Sequence, residues 1–354
     1  HNNVRDDLLT VSFFHNRRIY MKKFLLGALL LPFSLTTMAF AGGHAKLTFA
    51  LVPKAMNNPF FDLARDGCKK AEGEIEGIEC LYIGPGEHTE QEQIQIVQDL
   101  ISRKVDGIAV APSNAPAMGK ALKRAKEAGI NVITWDSDLL AKDKELRTAY
   151  VGTNNYDIGV NLARLTRNLK PQGGTVCIQS GGASAANHNE RMQGIRDTLA
   201  GTSGTTPPGN RLTGQNGWTE PDGCPLYTND DFPLSVQQMA DIFIKYPDLT
   251  AYVPTGGFPH FVPKAFRRVA GENQERIRTK QTAVVVADTL PMQMEILKDG
   301  LTHGLVGQQP YMMGYKAMYV LKDLADGNSV EDPIYTGLDV CPFEAAWSCL
   351  SGGG

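Results

Sequence analysis

Short apolar runs alternate with longer amphipathic runs along this chain, and that alternation limits the folds it can adopt. The apolar runs predict strands at residues 47–52, 79–83, 107–111, 132–135, 175–179, 251–254, 283–287 and 305–306. The amphipathic runs predict helices at residues 60–74, 89–103, 115–128, 156–168, 187–199, 234–245 and 292–298. Repeated strand–helix units of this length form parallel sheets. Because the series starts again after Tyr150, we expect an α/β chain with two similar halves.

One segment interrupts this regularity. Residues 201–223 are rich in Gly, Thr and Pro, which favour turns and disfavour helices and strands. We therefore predict a loop or insertion without regular structure there.

The N-terminal segment predicts export. A basic start at residues 21–23 precedes an apolar run at 24–35 and an A-x-A motif that ends at Ala41. This is the three-part pattern of a secretory signal, and the apolar run is shorter than the roughly 20 residues that span a bilayer. We predict that residues 21–41 form a signal peptide. Residues 1–20 are then expected to be upstream or non-native sequence.

Charge and length after Ala41 limit the classes of function. Residues 1–41 hold five Lys or Arg and two Asp, which leaves 30 basic and 36 acidic residues in the remainder. A mildly acidic chain with scattered basic residues carries no nucleic-acid footprint, so no nucleic-acid partner is expected. The remaining length suits two domains of about 150 residues each.

All six cysteines lie in the part predicted to be exported, where disulfides persist. Cys68 with Cys80 and Cys341 with Cys349 are close enough in sequence to pair. Cys177 is either a buried free thiol or paired with Cys224, and the residues alone leave that choice open. No spacing matches a metal site, so we expect neither metal nor cofactor.

A turn after the first predicted strand gathers polar and aromatic side chains. Lys54, Asn58, Phe60 and Phe61 follow the strand, and Pro59 suits the first turn of the next helix. In an open α/β sheet, ligands bind at the carboxyl ends of strands. This turn is therefore expected to present a cation, an amide and two rings to a cleft.

Other predicted strand ends carry similar chemistry. The candidates are Trp135, Asp136 and Ser137 after the fourth strand, Arg191 on the helix after the SGGASAAN turn, Asp288, and Gln308. A hydroxyl donates to a carboxylate while it accepts from a cation or amide, and such bonds contribute about 1.5 to 3 kcal/mol each. Aromatic rings cover the C–H face of a sugar. The set predicts a site for a neutral polyhydroxylated ligand.

Five segments together resemble the type I periplasmic sugar-binding proteins of ABC importers, the ribose-, galactose- and rhamnose-binding group. They are ALVPKAMNNPFF (50–61), VDGIAVAP (105–112), NVITWDSD (131–138), YVGTNNYDIG (150–159), and DTLP with GQQP (288–291 and 307–310). The resemblance implies two Rossmann-like lobes with parallel sheets, joined by a three-crossover hinge near residues 150–153, 308 and 335–338. It places the first lobe at 42–151 plus 309–336 and the second at 152–308 plus 337–354.

The resemblance also implies a function and a ligand set. The protein would be periplasmic, would capture a monosaccharide or sugar alcohol between closing lobes, and would deliver it to a membrane ABC permease, as a monomer. Its family's contacts fall on these positions: Lys54, Asn58, Phe60, Phe61, Asp136, Ser137, Asn187, Arg191, Asp230, Gly256, Asp288 and Gln308. Ribose binders differ at Lys54, Ser137 and Gly256, which speaks against ribose itself.

Two alternatives stay open. VPK at 52–54 and TWDSD at 134–138 are similar to the autoinducer-2 branch of the family, although Asn187 and His188 depart from it. A sugar sensor docking on a chemoreceptor or sensor kinase would need the same site.

We expect Asp136 to balance the charge of a buried Lys54. No P-loop, G-x-G-x-x-G or nucleophile elbow is present, so we do not expect an enzyme.

Overall fold

The computed structural model describes residues 46–349, and the predicted signal peptide and upstream segment lie outside that range. The first eight strands are β1 (Leu47–Val52), β2 (Ile78–Tyr82), β3 (Gly107–Val110), β4 (Asn131–Trp135), β5 (Tyr150–Gly152), β6 (Gly174–Ser180), β7 (Trp218–Thr219) and β8 (Leu226–Tyr227). The others are β9 (Ala251–Pro254), β10 (Ala283–Ala287), β11 (Gly304–Gly307), β12 (Ile334–Tyr335) and β13 (Asp339–Pro342).

Helices follow most of the strands. They are α1 (Pro59–Glu74), α2 (Glu90–Ser102), α3 (Ala115–Glu127), α4 (Asn155–Leu169), α5 (Ala186–Ala200), α6 (Phe232–Lys245), α7 (Pro263–Glu272), α8 (Gln274–Arg278), α9 (Pro291–Lys298) and α10 (Pro310–Ala325). The pattern predicted the earlier helices to within a few residues, but α7, α8 and α10 were not among those predicted.

The strands form two sheets. The first has the order β12-β5-β4-β3-β1-β2, and the second runs β13-β11-β10-β9-β6-β7, with β8 also pairing with β6. The pairings are parallel except between β13 and β11, which are antiparallel. The chain passes between the sheets after β5, after β11 and again after β12. The predicted α/β architecture of two parallel-sheet lobes with three crossovers is confirmed; the exact lobe boundaries stay a prediction.

Each sheet is covered by helices on both faces because successive strand residues point to opposite sides. In β1, Phe49 and Leu51 belong to a core shared with α1 and α10, whereas Ala50 and Val52 face α2 and α3. The second sheet divides in the same way between α4 with α5 and α6 with α7. This double covering leaves the strand ends as the place where polar side chains collect.

The segment at 201–223 is not wholly irregular, which corrects the prediction. It contains a 3₁₀ turn at Gln215–Gly217 and then β7, which pairs with β6 through Gly174–Trp218 and Thr175–Thr219. A strand of two residues carries no readable periodicity, so sequence pattern alone did not reveal it.

All three disulfides are formed. They join Cys68 to Cys80, Cys177 to Cys224, and Cys341 to Cys349. The two predicted pairs are confirmed, and the open choice for Cys177 is resolved as a bridge from β6 to the turn before β8. Among residues 46–349, no helix is long and apolar enough to cross a membrane.

Candidate functional site

Three buried aspartates follow strand ends, and all three have left-handed backbone. Asp136 follows β4, Asp230 lies shortly after β8 and Asp288 follows β10, with φ values of 57°, 59° and 74°. Asp is one of the few residues that adopt this conformation at modest cost. Each side chain is at least nine-tenths buried, and all three line one cavity. At three places in this site, therefore, an aspartate with positive φ follows a strand and lines the cavity.

The cavity is narrow in this conformation and leaves only about 20 Å³ for the centre of a water-sized molecule. Its lining combines charged, amide and aromatic side chains from both lobes: Lys54, Asn58, Phe60, Phe61, Asp136, Asn187, His188, Arg191, Asp230, Gly256, Phe258, Phe261, Asp288 and Gln308. Trp135 and Ser137 were predicted as contacts but do not line it. His188, Phe258 and Phe261 line it but were not predicted.

Arg191 on α5 is held by neighbours of its own lobe. Its Nε donates to Asn155 Oδ1 at 2.9 Å, Nη1 to the Thr255 carbonyl at 2.9 Å, and Nη2 to Gln308 Oε1 at 3.1 Å. Nη2 also lies 3.8 Å from Asp136 Oδ1 across the cleft. The guanidinium is therefore fixed by three hydrogen bonds and keeps a charge directed at the other lobe.

Gln308 links this arginine to Asp288. While its oxygen accepts from Arg191, its Nε2 donates to Asp288 Oδ1 at 2.8 Å. The second carboxylate oxygen accepts the Gly257 backbone N–H at 3.0 Å. Burial raises the pKa of Asp288, and Arg191 and Gln308 oppose that rise. The acid is thus oriented by its own lobe before anything binds.

Lys54 is bound by the opposite lobe. Its Nζ donates to Asn187 Oδ1 at 2.8 Å and lies 4.0 Å from Asp136 Oδ2. The expectation that Asp136 balances Lys54 holds as an ion pair, but the hydrogen bond goes to Asn187. Asn187 Nδ2 in turn donates to Asp136 Oδ2 at 3.4 Å, so one amide ties both charges together. Burial lowers the pKa of Lys54 and raises that of Asp136.

Aromatic rings close the apolar sides. Phe60 and Phe61 meet edge to face at 5.3 Å, and Phe61 meets Trp135 in the same way at 5.5 Å. Trp135 lies behind Phe61, fully buried, and its Nε1 donates to the Ala109 carbonyl at 3.2 Å. It therefore supports a lining ring and does not line the cavity. The sequence alone could not show whether this tryptophan at a strand end would line the cavity or lie behind a ring that lines it.

Three of the predicted ligand contacts, Asn58, Ser137 and Gly256, also have roles in holding the local structure. Asn58 caps α1, accepting from Phe60 N at 3.0 Å, and still lines the cavity with its remaining surface. Ser137 lies beside the cavity, where its Oγ accepts from Asn187 N at 3.5 Å. A Cβ on Gly256 would come within 2.5 Å of the Phe258 ring, so glycine lets that ring pack against the backbone.

His188 was noted in sequence only as a departure from a related branch. Its Nδ1 lies 3.0 Å from Thr255 Oγ1, and its ring meets Phe258 at 5.3 Å. Burial, with Lys54 and Arg191 nearby, holds its pKa well below the usual range, so the ring is neutral. The cavity thus carries two cations against three carboxylates, a balance that disfavours an anionic ligand.

A family model for the periplasmic binding protein domain matches residues 49–329. The chain belongs to this family. It is 25% identical over 321 residues to a ribose import binding protein of Salmonella typhimurium, covering 88% of this chain and 95% of that one. It is 30% identical over 186 residues to a D-ribose/D-allose-binding protein of Pseudomonas aeruginosa, covering 49% and 58%.

Solved structures show the same architecture. The crystal structure of an ABC transporter solute-binding protein from Burkholderia graminis in complex with D-arabinose matches at a TM-score of 0.72 and 30% identity. The match covers 86% of this chain and 98% of that one. The predicted family is therefore confirmed, and the relatives named here are binding proteins.

Proposed function

We propose that this protein is a solute-binding protein that captures a neutral monosaccharide or sugar alcohol between its lobes and delivers it to an ABC permease. The observation that carries the proposal is the cavity, which is lined by hydrogen-bonded donors and acceptors and by aromatic rings. Arg191, Gln308 and Asp288 form one such chain, and Lys54, Asn187 and Asp136 form another.

Each chain suits a hydroxyl group. A ligand hydroxyl can donate to Asp136 or Asp288 and accept from Lys54 or Arg191 at the same time, which strengthens both bonds. Arg191 and Asp288 are already oriented by hydrogen bonds within the second lobe, so little ordering of that half of the site is needed on binding. Rings such as Phe60 and Phe61 would cover the C–H face of a sugar.

Closure of the lobes supports the same proposal. The cavity takes residues from both sheets, so it is complete only when the lobes contact each other, as they do through Lys54 and Asn187. Hinge closure around a ligand is a common route by which a binding protein signals occupancy to a partner. Delivery to a permease is what the family and the names of its relatives support.

The proposal also includes the cellular location of the protein and its oligomeric state. The signal pattern at residues 21–41 and the three disulfides support a periplasmic place. Amino-terminal sequencing of the exported protein would test cleavage after Ala41. The monomeric state and docking on a chemoreceptor stay predictions.

A thermal-shift screen tests the function. The protein is unfolded with its disulfides intact, refolded to remove carried ligand, and screened against D-ribose, D-allose, D-arabinose, D-galactose, sugar alcohols and autoinducer-2. A ligand at a thousandfold excess over its Kd stabilises the native state by about 4 kcal/mol, which is easily measured. We expect one sugar to raise the Tm and the Asp288→Asn variant to lose that shift. The exposed Asp299→Asn serves as the control that keeps it.

The screen has two outcomes against the proposal. If no sugar or polyol shifts the Tm, the sugar-binding function is wrong. If only autoinducer-2 does so, the cargo is the furanosyl signal.

A further inference from the structure

A glutamine occupies a core position on α2. Gln93 is fully buried and, with Val97 and Leu100, forms the buried face of this helix. An apolar side chain would suit such a position, because burying an amide is costly unless its hydrogen bonds are made. Gln93 does not line the ligand cavity, so contact with a ligand does not explain its polarity.

The Gln93 amide joins the ends of two strands. Its Nε2 donates to the Pro53 carbonyl at 3.0 Å and to the Ala111 carbonyl at 2.7 Å, and its Oε1 accepts from Ser113 N at 2.9 Å. The nitrogen and the oxygen of the amide are thus both used. Because Pro53 follows β1 and Ala111 follows β3, this one side chain fixes the spacing between the loops that leave the two strands.

Each of these loops leads to a donor that reaches across the cleft. Lys54 follows Pro53, and its Nζ donates to Asn187 Oδ1 at 2.8 Å. Ala115 lies at the end of the other loop, and its backbone N–H donates to the Ser184 carbonyl at 3.0 Å. Both acceptors belong to one short segment at the start of α5. The first lobe therefore contacts this segment of the second lobe at two points.

The first of these loops is also held by close packing. A Cβ on Gly84 would lie 2.8 Å from Pro53 Cγ and 3.1 Å from the Pro53 carbonyl oxygen, so the glycine leaves just enough room for this proline. Pro53 is thus fixed by the amide of Gln93 and by the backbone at Gly84. Displacing Pro53 would move the backbone from which the Lys54 side chain extends.

We propose that Gln93 is a positioning residue for ligand retention. It holds the loops at 53–54 and 111–115 at the spacing at which Lys54 and Ala115 contact the second lobe together. This inference rests on the proposed function, in which closure of the lobes retains the ligand. It assigns a role in ligand release to a residue that lies outside the cavity.

Stopped-flow kinetics on the refolded exported protein test the inference with Gln93→Met, which keeps a similar side-chain length and removes all three hydrogen bonds. The probe is whichever of D-ribose, D-allose, D-arabinose and D-galactose binds the wild type most tightly. We expect the dissociation rate constant to rise at least fivefold and the association rate constant to change less than twofold, because the two contacts act in the closed form.

A second background separates positioning from a general loss of stability. In a protein that lacks both contacts across the cleft, Lys54→Met with Ala115→Pro, the Gln93→Met change should alter the dissociation rate constant less than twofold. Proline suits position 115, because this is the first residue of α3, and Asn114 before it has extended backbone. The control is Leu100→Ala on the same helix face. It should lower the Tm but leave both rate constants within twofold of the wild type.

Gly84→Ala displaces Pro53 by a second route and replaces Gln93→Met if that variant does not fold. It should also speed release, and only where the two contacts are present. If the variant releases ligand at the wild-type rate, or speeds release equally in both backgrounds, the positioning role is wrong and sugar binding stands. If none of the four sugars binds the wild type, the proposed function fails and the inference fails with it.

Discussion

The two lobes contribute to the site in different ways. In the second lobe, Arg191, Gln308 and Asp288 are linked to one another by hydrogen bonds. Arg191 and Asp288 also hydrogen-bond to backbone groups of that lobe. In the first lobe, the side-chain hydrogen bonds described for Lys54 and for the Asp136 carboxylate go to Asn187, which belongs to the other lobe. The second-lobe side chains of the site are thus oriented within their own lobe, whereas the first-lobe side chains are oriented by contact across the cleft.

From this difference between the lobes we infer which lobe contacts the ligand first. A preorganised surface binds ligand with little loss of side-chain freedom, so the second lobe is suited to meet the ligand first. Lys54 and Asp136 gain their hydrogen bonds to Asn187 when the lobes close, so they are suited to retain the ligand. Variants in the second lobe should therefore weaken the first encounter, whereas variants in the first lobe should speed release.

The largest effect is expected for Arg191→Ala. It leaves Gln308 Oε1 and Asn155 Oδ1 without their donor and leaves Asp136 with Lys54 as its cation but without the guanidinium across the cleft. Truncating one partner of a buried, hydrogen-bonded charge pair costs about 2 to 5 kcal/mol of binding free energy, so sugar affinity measured by calorimetry should fall by about thirtyfold to several thousandfold.

Arg196 provides the matched control for that experiment. It lies on the same helix, is also buried, and donates to Glu220 at 2.7 and 2.8 Å, away from the cavity. Arg196→Ala should lower the Tm but leave the affinity within twofold. If Arg191→Ala kept tight binding, the second lobe would not be the first contact.

A smaller loss is expected for Lys54→Met, which keeps much of the side-chain volume but removes the donor. Hydrogen bonds to charged groups contribute about 1.5 to 3 kcal/mol, which corresponds to a loss of about 10- to 150-fold in affinity. Stopped-flow kinetics should place most of it in dissociation. The Tm without ligand should change little, because the hydrogen bond of the lysine goes across the cleft to Asn187 and its contact with Asp136 of the same lobe is at 4.0 Å.

The exposed Lys126→Met, which removes a hydrogen bond to the Glu145 carbonyl, is the control for this variant. An affinity within twofold of the wild type for Lys54→Met would show that the first lobe does not retain the ligand through this charge.

A pH dependence is expected from Glu190, which lines a separate cavity at the hinge side of the cleft. It faces Asp138, Lys144, Arg147 and Asp332 of the first lobe, and burial raises its pKa to about 7. The closed form therefore holds this proton more tightly than an open form with an ordinary carboxyl, and protonation favours closure. Affinity should fall about tenfold between pH 6 and pH 8.

The comparison of wild type with Glu190→Gln isolates this group from the others that titrate. Lys54 and His188 have lowered pKa values, so protonating them opposes closure, whereas Asp136 and Asp288 have raised values and act in the same direction as Glu190. The variant should bind with a flatter pH profile. An unchanged profile would contradict a role for this carboxyl in closure.

The smallest effect on affinity is expected for Trp135→Phe. The change removes the hydrogen bond to Ala109 and part of the packing behind Phe61 but no cavity surface. We expect Kd to change by no more than about threefold, while loss of the buried bond and packing destabilises the fold by about 1 to 3 kcal/mol in denaturant unfolding. Phe61→Leu, which alters the lining itself, should reverse that ranking. A larger affinity loss for Trp135→Phe would mean that the indole meets the ligand.

Most of the predicted site lay at strand ends, and that is why it could be read from the sequence. Lys54, Asp136 and Asp288 each follow an apolar run, and parallel strands bring their carboxyl ends to one edge. Phe258 and Phe261 were missed because they lie in a 3₁₀ turn after β9, where neither helical nor strand periodicity applies.

The sequence by itself determined the α/β class, the family, the disulfides between nearby cysteines and most of the charged groups of the site. These follow from local patterns, because strand, helix and turn preferences act over a few residues. Tertiary structure decided the pairing of Cys177 with Cys224, the bond from Lys54 to Asn187 and the place of Trp135 behind Phe61. Each of these depends on which segments meet in space, and that is set by packing of the two sheets and not by neighbours along the chain.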